Sequence, residues 1–317
     1  DNVILTGTGD EQSQYGIQTG NHGINADAST RTITISGNTV DVEDNAIWAN
    51  QHFNNGPATT ITGNTATATI PLRIQSMREN TGLITVSGGN VFTADKVSST
   101  GRGESSANFF GRGIVVLNSD GPVEIIGNTI ATDGDATSDE SISGIDLLNA
   151  SVDLIDGVSF GTIEGPAVSV RTFDSNPNDN DPGESNLGAL SGYDGSGSFD
   201  FSNVQGNVLF VDVSNGSSAR VIENDLSGTD ASSGTFGGFD RLNFDGETKD
   251  LSGNWWGSND FSTVRSAVPS DADYTPFLDV GDQDGSTGFQ GDFSTLNLDN
   301  ASPQVGTTTR QQEAIAL

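Results

Sequence analysis

The stretch Ile33-Thr-Ile-Ser-Gly-Asn38-Thr-Val40 returns three times along the chain with small changes. The other copies are Thr60-Ile-Thr-Gly-Asn64-Thr65, Ile84-Thr-Val-Ser-Gly-Gly-Asn90-Val91 and Glu124-Ile-Ile-Gly-Asn128-Thr-Ile130. The asparagines at 38, 64 and 90 are spaced 26 residues apart. A fixed period of this length is typical of architectures that stack one supersecondary unit on the next.

Each copy has the pattern of two strands joined by a tight bend. The alternation of Thr and Ile predicts a strand with one buried face, and Gly-Asn predicts the bend because both residues tolerate positive φ. A third apolar patch follows each bend, for example Gly113-Ile-Val-Val-Leu117. Three short strands in each period predict an all-β fold, a right-handed parallel β-helix (solenoid) of about 8–10 coils. A β-sandwich would not repeat one turn at one register.

Stacked coils place equivalent residues above one another. We therefore expect the bend asparagines to form a hydrogen-bonded structural ladder along the rod, with the members Asn38, Asn64, Asn90 and Asn128. Four polar insertions interrupt the period, at 98–110, 133–141, 174–197 and 227–238. We expect them to be loops on the side of the rod, where binding residues often lie.

The chain is very acidic. Its 317 residues include 43 Asp and Glu against 12 Lys and Arg, which gives a formal net charge of −31. Such a charge excludes nucleic acid as a partner and repels anionic polysaccharides and membranes. Cysteine is absent, so disulfides and thiolate metal sites are excluded. We find no run of apolar residues long enough to span a bilayer.

Near its C-terminal end the chain reads Gly253-Asn-Trp-Trp-Gly257, then Asp273-Tyr-Thr-Pro-Phe-Leu278 and Gly288-Phe-Gln-Gly-Asp-Phe-Ser-Thr-Leu296. These motifs resemble the closing segment of right-handed β-helices of the pectin-lyase-like superfamily in long, multi-unit bacterial surface proteins. The stretch Gln304-Val-Gly-Thr-Thr-Thr-Arg-Gln-Gln-Glu-Ala-Ile315 resembles the helix that opens such a β-helix. The resemblance implies that Trp255 and Trp256 serve packing.

The resemblance also implies a domain division. Residues 1–280 would form the parallel β-helix, 281–303 an acidic Gly/Asp-rich connector, and 304–317 the cap helix that starts the next unit. Since that cap normally stands before a β-helix, we expect a tandem array of units.

Many members of this superfamily cleave polysaccharides. A lyase of that kind implies an Arg or Lys beside carboxylates, for which Arg171 and Arg73 are the candidates. A glycoside hydrolase needs converging carboxylates, but Asp146, Asp153 and Asp212 alternate with inward-facing residues, so we expect them to face solvent. The sequence predicts no catalytic residue.

Calcium is the candidate cofactor, because carboxylate and carbonyl oxygens in flexible loops are its usual ligands. The acidic loop stretches offer a metal-binding set composed of Asp174, Asn176, Asn178, Asp179, Asp181, Glu184, Asp279, Asp282 and Asp284. The spacing fails as an EF-hand, since Asp179 stands where glycine is required.

The leading functional interpretation is a structural or adhesive repeat unit of a rod-like bacterial surface or matrix protein. It would be extracellular and would contact neighbouring units head-to-tail. The alternative is a polysaccharide-binding or polysaccharide-cleaving β-helix (a lyase or a hydrolase) with glycans as partners. A row of exposed aromatics would favour binding, with Tyr193, Phe236 and Phe239 as candidates.

Overall fold

The fold is seen in a computed structural model of the chain. The structure describes residues 3–5, 15–20, 32–42, 45–50, 58–75, 83–95, 111–119, 122–133, 143–161, 163, 167–172, 184–188, 190–191, 209–213, 218–222, 224, 226, 242–245, 250–268, 272–281, 291–304 and 307–317.

Short strands dominate the described residues, and the coils from β3 to β17 each contribute one strand to each of three parallel sheets. Sheet 1 contains the strand that precedes the Gly-Asn bend. Its strands stack in the order β3-β6-β9-β12-β15-β19. Their bounds are β3 (Thr32–Ser36), β6 (Ala58–Thr62), β9 (Ile84–Ser87), β12 (Val123–Ile126), β15 (Leu154–Asp156) and β19 (Leu190–Ser191).

Sheet 2 contains the strand that follows the bend. It stacks in the order β1-β4-β7-β10-β13-β16. The bounds are β1 (Val3–Leu5), β4 (Thr39–Asp41), β7 (Thr65–Ala68), β10 (Val91–Asp95), β13 (Thr129–Asp133) and β16 (Ser159–Phe160).

Sheet 3 contains the third apolar patch of each coil and is the longest stack. Its main path runs through eight strands in the order β2-β5-β8-β11-β14-β17-β20-β22, with β18 and β21 branching from β14. The bounds are β2 (Tyr15–Gly20), β5 (Asn45–Asn50), β8 (Ile70–Gln75), β11 (Arg112–Ser119), β14 (Ser143–Val152), β17 (Val168–Thr172), β18 (Glu184–Gly188), β20 (Leu209–Val213), β21 (Ser218–Ile222) and β22 (Leu242–Asp245).

The parallel β-helix predicted from the repeat is therefore confirmed. The 26-residue spacing becomes a register in which Ile35 lies beside Ile61, and Ile61 beside Val86. Ile125 and Ile155 continue this buried stack. Period-2 alternation works here because every second side chain of a strand points into the coil. Each coil thereby covers the apolar interior of its neighbours.

The corner between sheets 2 and 3 requires small residues. A Cβ added at Gly113 would lie 2.2 Å from Ile130 Cγ2 and 2.7 Å from the carbonyl oxygen of Gly144. A Cβ added at Gly144 would in turn lie 2.6 Å from the carbonyl oxygen of Ala167. Backbone oxygens of the next coil cannot move aside, so this corner tolerates little side-chain volume.

The C-terminal part leaves the repeating pattern. It contains helix α1 (Phe261–Ala267), the antiparallel pair β23 (Phe277–Leu278) and β24 (Leu296–Asn297), and helix α2 (Arg310–Ala316). The segment expected to be a connector, 281–303, thus contains a strand that pairs back onto β23. Helix α2 lies inside the stretch 304–317, for which the resemblance implied a helix.

Candidate functional site: asparagine ladders and the C-terminal end

The bend asparagines form a row of side-chain hydrogen bonds through four coils. Asn38 Nδ2 donates to Asn64 Oδ1 at 2.9 Å, and Asn64 Nδ2 donates to Asn90 Oδ1 at 3.0 Å. Asn90 Nδ2 donates to Asn128 Oδ1 at 2.8 Å, across an interval of 38 residues that includes one insertion. All four side chains are buried. These contacts are those of the ladder that the repeat led us to expect.

Each ladder side chain also binds backbone. Asn64 Oδ1 accepts from the backbone N–H of Asn38 at 3.1 Å, and Asn64 Nδ2 donates to the carbonyl of Ile35 at 3.0 Å. Asn90 repeats this pattern on the neighbouring coil, where its Nδ2 donates to the carbonyl of Ile61 at 3.0 Å. The ladder therefore satisfies the polar groups that the bend exposes inside the stack, where water is excluded.

Glycine makes the bend possible. Gly37, Gly63 and Gly127 have φ between 61° and 63°, in the left-handed region that residues with a Cβ avoid. The asparagine that follows binds backbone carbonyls through its side-chain amide. Gly and Asn thus have different tasks: the glycine turns the backbone and the asparagine binds it.

The ladder ends where an apolar residue takes the asparagine position. Ser159 pairs with Thr129, so Val158 lies in the position of Asn128 one coil further on, and it is buried. A second ladder forms later in the chain, where Asn224 Nδ2 donates to Asn254 Oδ1 at 2.9 Å. Asn254 follows Gly253 as in the repeats above, whereas Asn224 follows Glu223, and the sequence analysis assigned neither of them to a ladder.

The outer face of sheet 3 contains an ion pair that the sequence did not predict. The guanidinium of Arg112 contacts the carboxylate of Asp146, and both side chains are 0% exposed. The expectation that Asp146 faces solvent is therefore wrong. It does point away from the coil interior, but that outer surface is itself covered at this place. Asp153, by contrast, is exposed as expected.

Of the two arginines proposed for lyase chemistry, the structure describes the side chain of Arg73 and not that of Arg171. The guanidinium carbon of Arg73 lies over the Trp48 ring, 4.9 Å from its centroid, in a cation–π contact between neighbouring coils. Arg171 lies in β17 and pairs in register with Asp212, but the two side chains lie outside the described part of the structure. Tyr193, Phe236 and Phe239 lie outside it as well.

Most of the proposed calcium ligands fall outside the described residues, namely Asp174, Asn176, Asn178, Asp179, Asp181, Asp282 and Asp284. Glu184 is described only as a backbone position in β18. Asp279 Oδ1 accepts from the side-chain amides of Asn259 at 3.1 Å and Asn297 at 3.2 Å. Within the described ranges, no three His, Asp or Glu side chains are grouped closely enough to hold a metal.

A polar cluster fastens the second half of the expected connector to the end of the stack. Arg265 in α1 donates to both carboxylate oxygens of Asp299, through Nε at 2.6 Å and one terminal nitrogen at 2.5 Å. The Tyr274 hydroxyl donates to Asp299 at 2.5 Å. Ser302 also donates to Asp273 at 3.1 Å. Residues separated by some 34 positions meet here, and no sequence pattern indicated it.

The cluster shifts the acidity of its members. Hydrogen bonds from Arg265, opposed by burial, lower the pKa of Asp299 from 3.8 to about 2. Burial and the hydrogen bond to Asp299 raise the pKa of Tyr274 to about 12. A bidentate Arg–carboxylate pair of this kind is geometrically specific. It fixes the direction in which the chain continues toward α2.

The two tryptophans of the Gly-Asn-Trp-Trp-Gly motif pack against protein. Trp256 is buried in the core, and Trp255 is partly buried against Gly281, where an added Cβ would lie 2.5 Å from its Nε1. No helix in the described ranges is both long and apolar enough to cross a membrane. No family model, curated protein or solved structure matches this chain.

Proposed function

We propose that this chain is a structural and adhesive unit of a rod-like protein outside a bacterial cell, assembled head-to-tail with similar units. The stack supports a mechanical role, because parallel pairing continues through the eight strands from β2 to β22. The ladder adds side-chain bonds along the same axis. Since each coil is bound mainly to its neighbours, such a stack is stiff along its length.

The exposure of helix α2 is the observation that supports head-to-tail assembly. This helix has seven residues and a capping box at Thr309, yet none of its residues is buried, and Ile315 is 85% exposed. A helix this short gains most of its stability from tertiary packing. A partner surface that covers Ile315 would supply that packing, and the end of another unit's stack is the partner we propose.

The charge supports an extracellular and saline setting. A net charge of −31 makes units repel one another at low ionic strength. At the ionic strength of a saline medium, the screening length falls below about 8 Å. Head-to-tail contact between the ends of two rods then becomes possible. Calcium, as the proposed cofactor of the acidic loop at 174–184, would reduce the repulsion further.

The test compares the chain with the Ile315→Lys variant by sedimentation velocity and small-angle scattering across a range of protein and salt concentrations. We expect the unmodified chain to form elongated oligomers at high protein concentration in about 0.5–1 M salt, where the screening length is about 3–5 Å. The variant should stay monomeric, because a lysine cannot be buried without a partner.

The matched control is Thr129→Lys, which adds the same charge at an exposed position on the side of the stack. It should assemble like the unmodified chain. A monomer at every concentration, or compact and globular oligomers, would contradict head-to-tail assembly. A parallel titration with calcium and then a chelator tests the cofactor, since bound calcium raises the midpoint of thermal unfolding.

A further inference from the structure

One side of the rod carries a regular array of hydroxyl groups. In sheet 1 the outward-facing positions of three successive coils lie in register, with Thr34 beside Thr60 and Thr60 beside Thr85. The next outward column is built in the same way, two residues further along each strand. We call this the hydroxyl face, and its members are Thr34, Ser36, Thr60, Thr62, Thr85 and Ser87.

The spacing of the array follows from β-geometry. Neighbouring strands lie about 4.8 Å apart, and residues i and i+2 of one strand lie about 7 Å apart. The inward residues between the columns, such as Ile35, Ile61 and Val86, are buried and fix the strands in place. Gly88 lies against the second column, and a larger residue there would displace the Thr62 hydroxyl, since an added Cβ would lie 2.1 Å from Thr62 Oγ1.

The hydroxyl face is free of charge in a chain that carries −31. The other outward positions of β3 and β6 are Thr32 and Ala58, so no charged residue interrupts these strands. The first acidic residue appears in the next coil, where Glu124 follows Thr85 in register. The uncharged periodic surface therefore ends at an acidic residue on this side, and the net charge of the chain favours partners that carry no negative charge.

We propose that the hydroxyl face binds the ordered surface of a neutral polysaccharide fibre. A serine or threonine hydroxyl both donates and accepts a hydrogen bond, as a sugar hydroxyl does, and a rigid array can meet a periodic partner at several points together. Anionic polysaccharides are repelled by the net charge of −31. This inference rests on the adhesive role proposed above and names the partner class for it.

Ice is another partner with a periodic array of hydrogen-bonding groups. The composition of the hydroxyl face disfavours binding to ice. The feature common to all six positions is the hydroxyl group, since Ser36 and Ser87 lack the methyl group that threonine would add. All six positions can therefore form hydrogen bonds, whereas the two serines present no methyl group to an ice surface. A few hydrogen bonds per unit give weak binding. A rod of several units binds more tightly, because its units contact the fibre together.

The experiment measures binding of the full chain to microcrystalline cellulose and to chitin powder, with soluble alginate as an anionic comparison and ice partition as a further arm. The central variant is Thr60→Glu, which places a charge in the middle of the face. The matched control is Thr129→Glu on sheet 2, exposed and outside the face. Thr60→Val keeps the β-branched shape and removes one hydroxyl, so it remains informative if Thr60→Glu fails to fold.

We expect the unmodified chain and Thr129→Glu to bind at least one of the two fibres equally. Thr60→Glu should weaken that binding about tenfold, and Thr60→Val about two- to tenfold, which is the range for one lost hydrogen bond. The proposal is overturned if neither fibre is bound, if Thr129→Glu loses as much as Thr60→Glu, or if alginate or ice is bound instead. Oligomer formation, measured on the same samples, separates a failure of this proposal from a failure of head-to-tail assembly.

Discussion

Replacing Asn64 by alanine is the sharpest test of the ladder. The Asn64 side chain has five contacts at hydrogen-bond distance: Oδ1 accepts two from Asn38, and the two N–H groups of Nδ2 are shared among Asn90 Oδ1 and the carbonyls of Ile35 and Thr62. Since the side chain can thus make four full hydrogen bonds, at about 1 kcal/mol for each bond, we expect Asn64→Ala to lower the free energy of unfolding by ~4 kcal/mol. A loss of this size is a large part of the total stability of a typical domain.

The matched comparison is Asn128→Val at the end of the same ladder. The Asn128 side chain has two hydrogen bonds in the described structure, one accepted from Asn90 and one donated to the carbonyl of Val86. Its equivalent in the next coil is already an apolar residue, Val158. We therefore expect a loss of ~2 kcal/mol, about half that of Asn64→Ala.

The assay is denaturant unfolding followed by far-ultraviolet circular dichroism at one fixed salt concentration for every variant. Fixed salt matters because a chain of net charge −31 changes stability with screening. A loss below about 2 kcal/mol for Asn64→Ala, or equal losses for both variants, would refute the view that consecutive asparagines bind the coils through a cooperative row.

Three further outcomes are expected. Gly113→Ala should lower the free energy of unfolding by about 1–3 kcal/mol, because the new Cβ meets Ile130 Cγ2 at 2.2 Å; unchanged thermal unfolding would contradict the tight corner. The lowered pKa of Asp299, about 2 against 3.8, means that its contact with Arg265 stabilises the fold above about pH 4 and is lost as the pH falls toward 2. Arg265→Gln should reduce this acid dependence, because Arg265 is the largest cause of the lowered pKa while Tyr274 and the backbone of Ala301 still donate to Asp299. The measurement is pH-dependent unfolding of both proteins. Raising salt from about 0.01 to 1 M should increase the unfolding midpoint by screening repulsion among the acids; a fall would oppose this.

The buried Arg112–Asp146 pair shows why burial on the outer face of a sheet cannot be predicted from strand alternation. Strand alternation correctly places Asp146 on the side opposite Ile145 and Leu147, which are buried in the core. Alternation cannot tell whether that side meets water or other parts of the chain. Burial of an isolated carboxylate is costly, so its pairing with Arg112 is required once the surface is covered.

The sequence by itself determined the repeating coil of this protein. Period-2 alternation, the positive φ available to glycine and the 26-residue interval act within one coil or between neighbours. Such local signals can be read without coordinates, and they located the row from Asn38 to Asn128. Only the tertiary structure decided how the stack ends. The cluster of Arg265, Tyr274 and Asp299 joins residues far apart in sequence through side-chain geometry, which leaves no period and no motif in the chain.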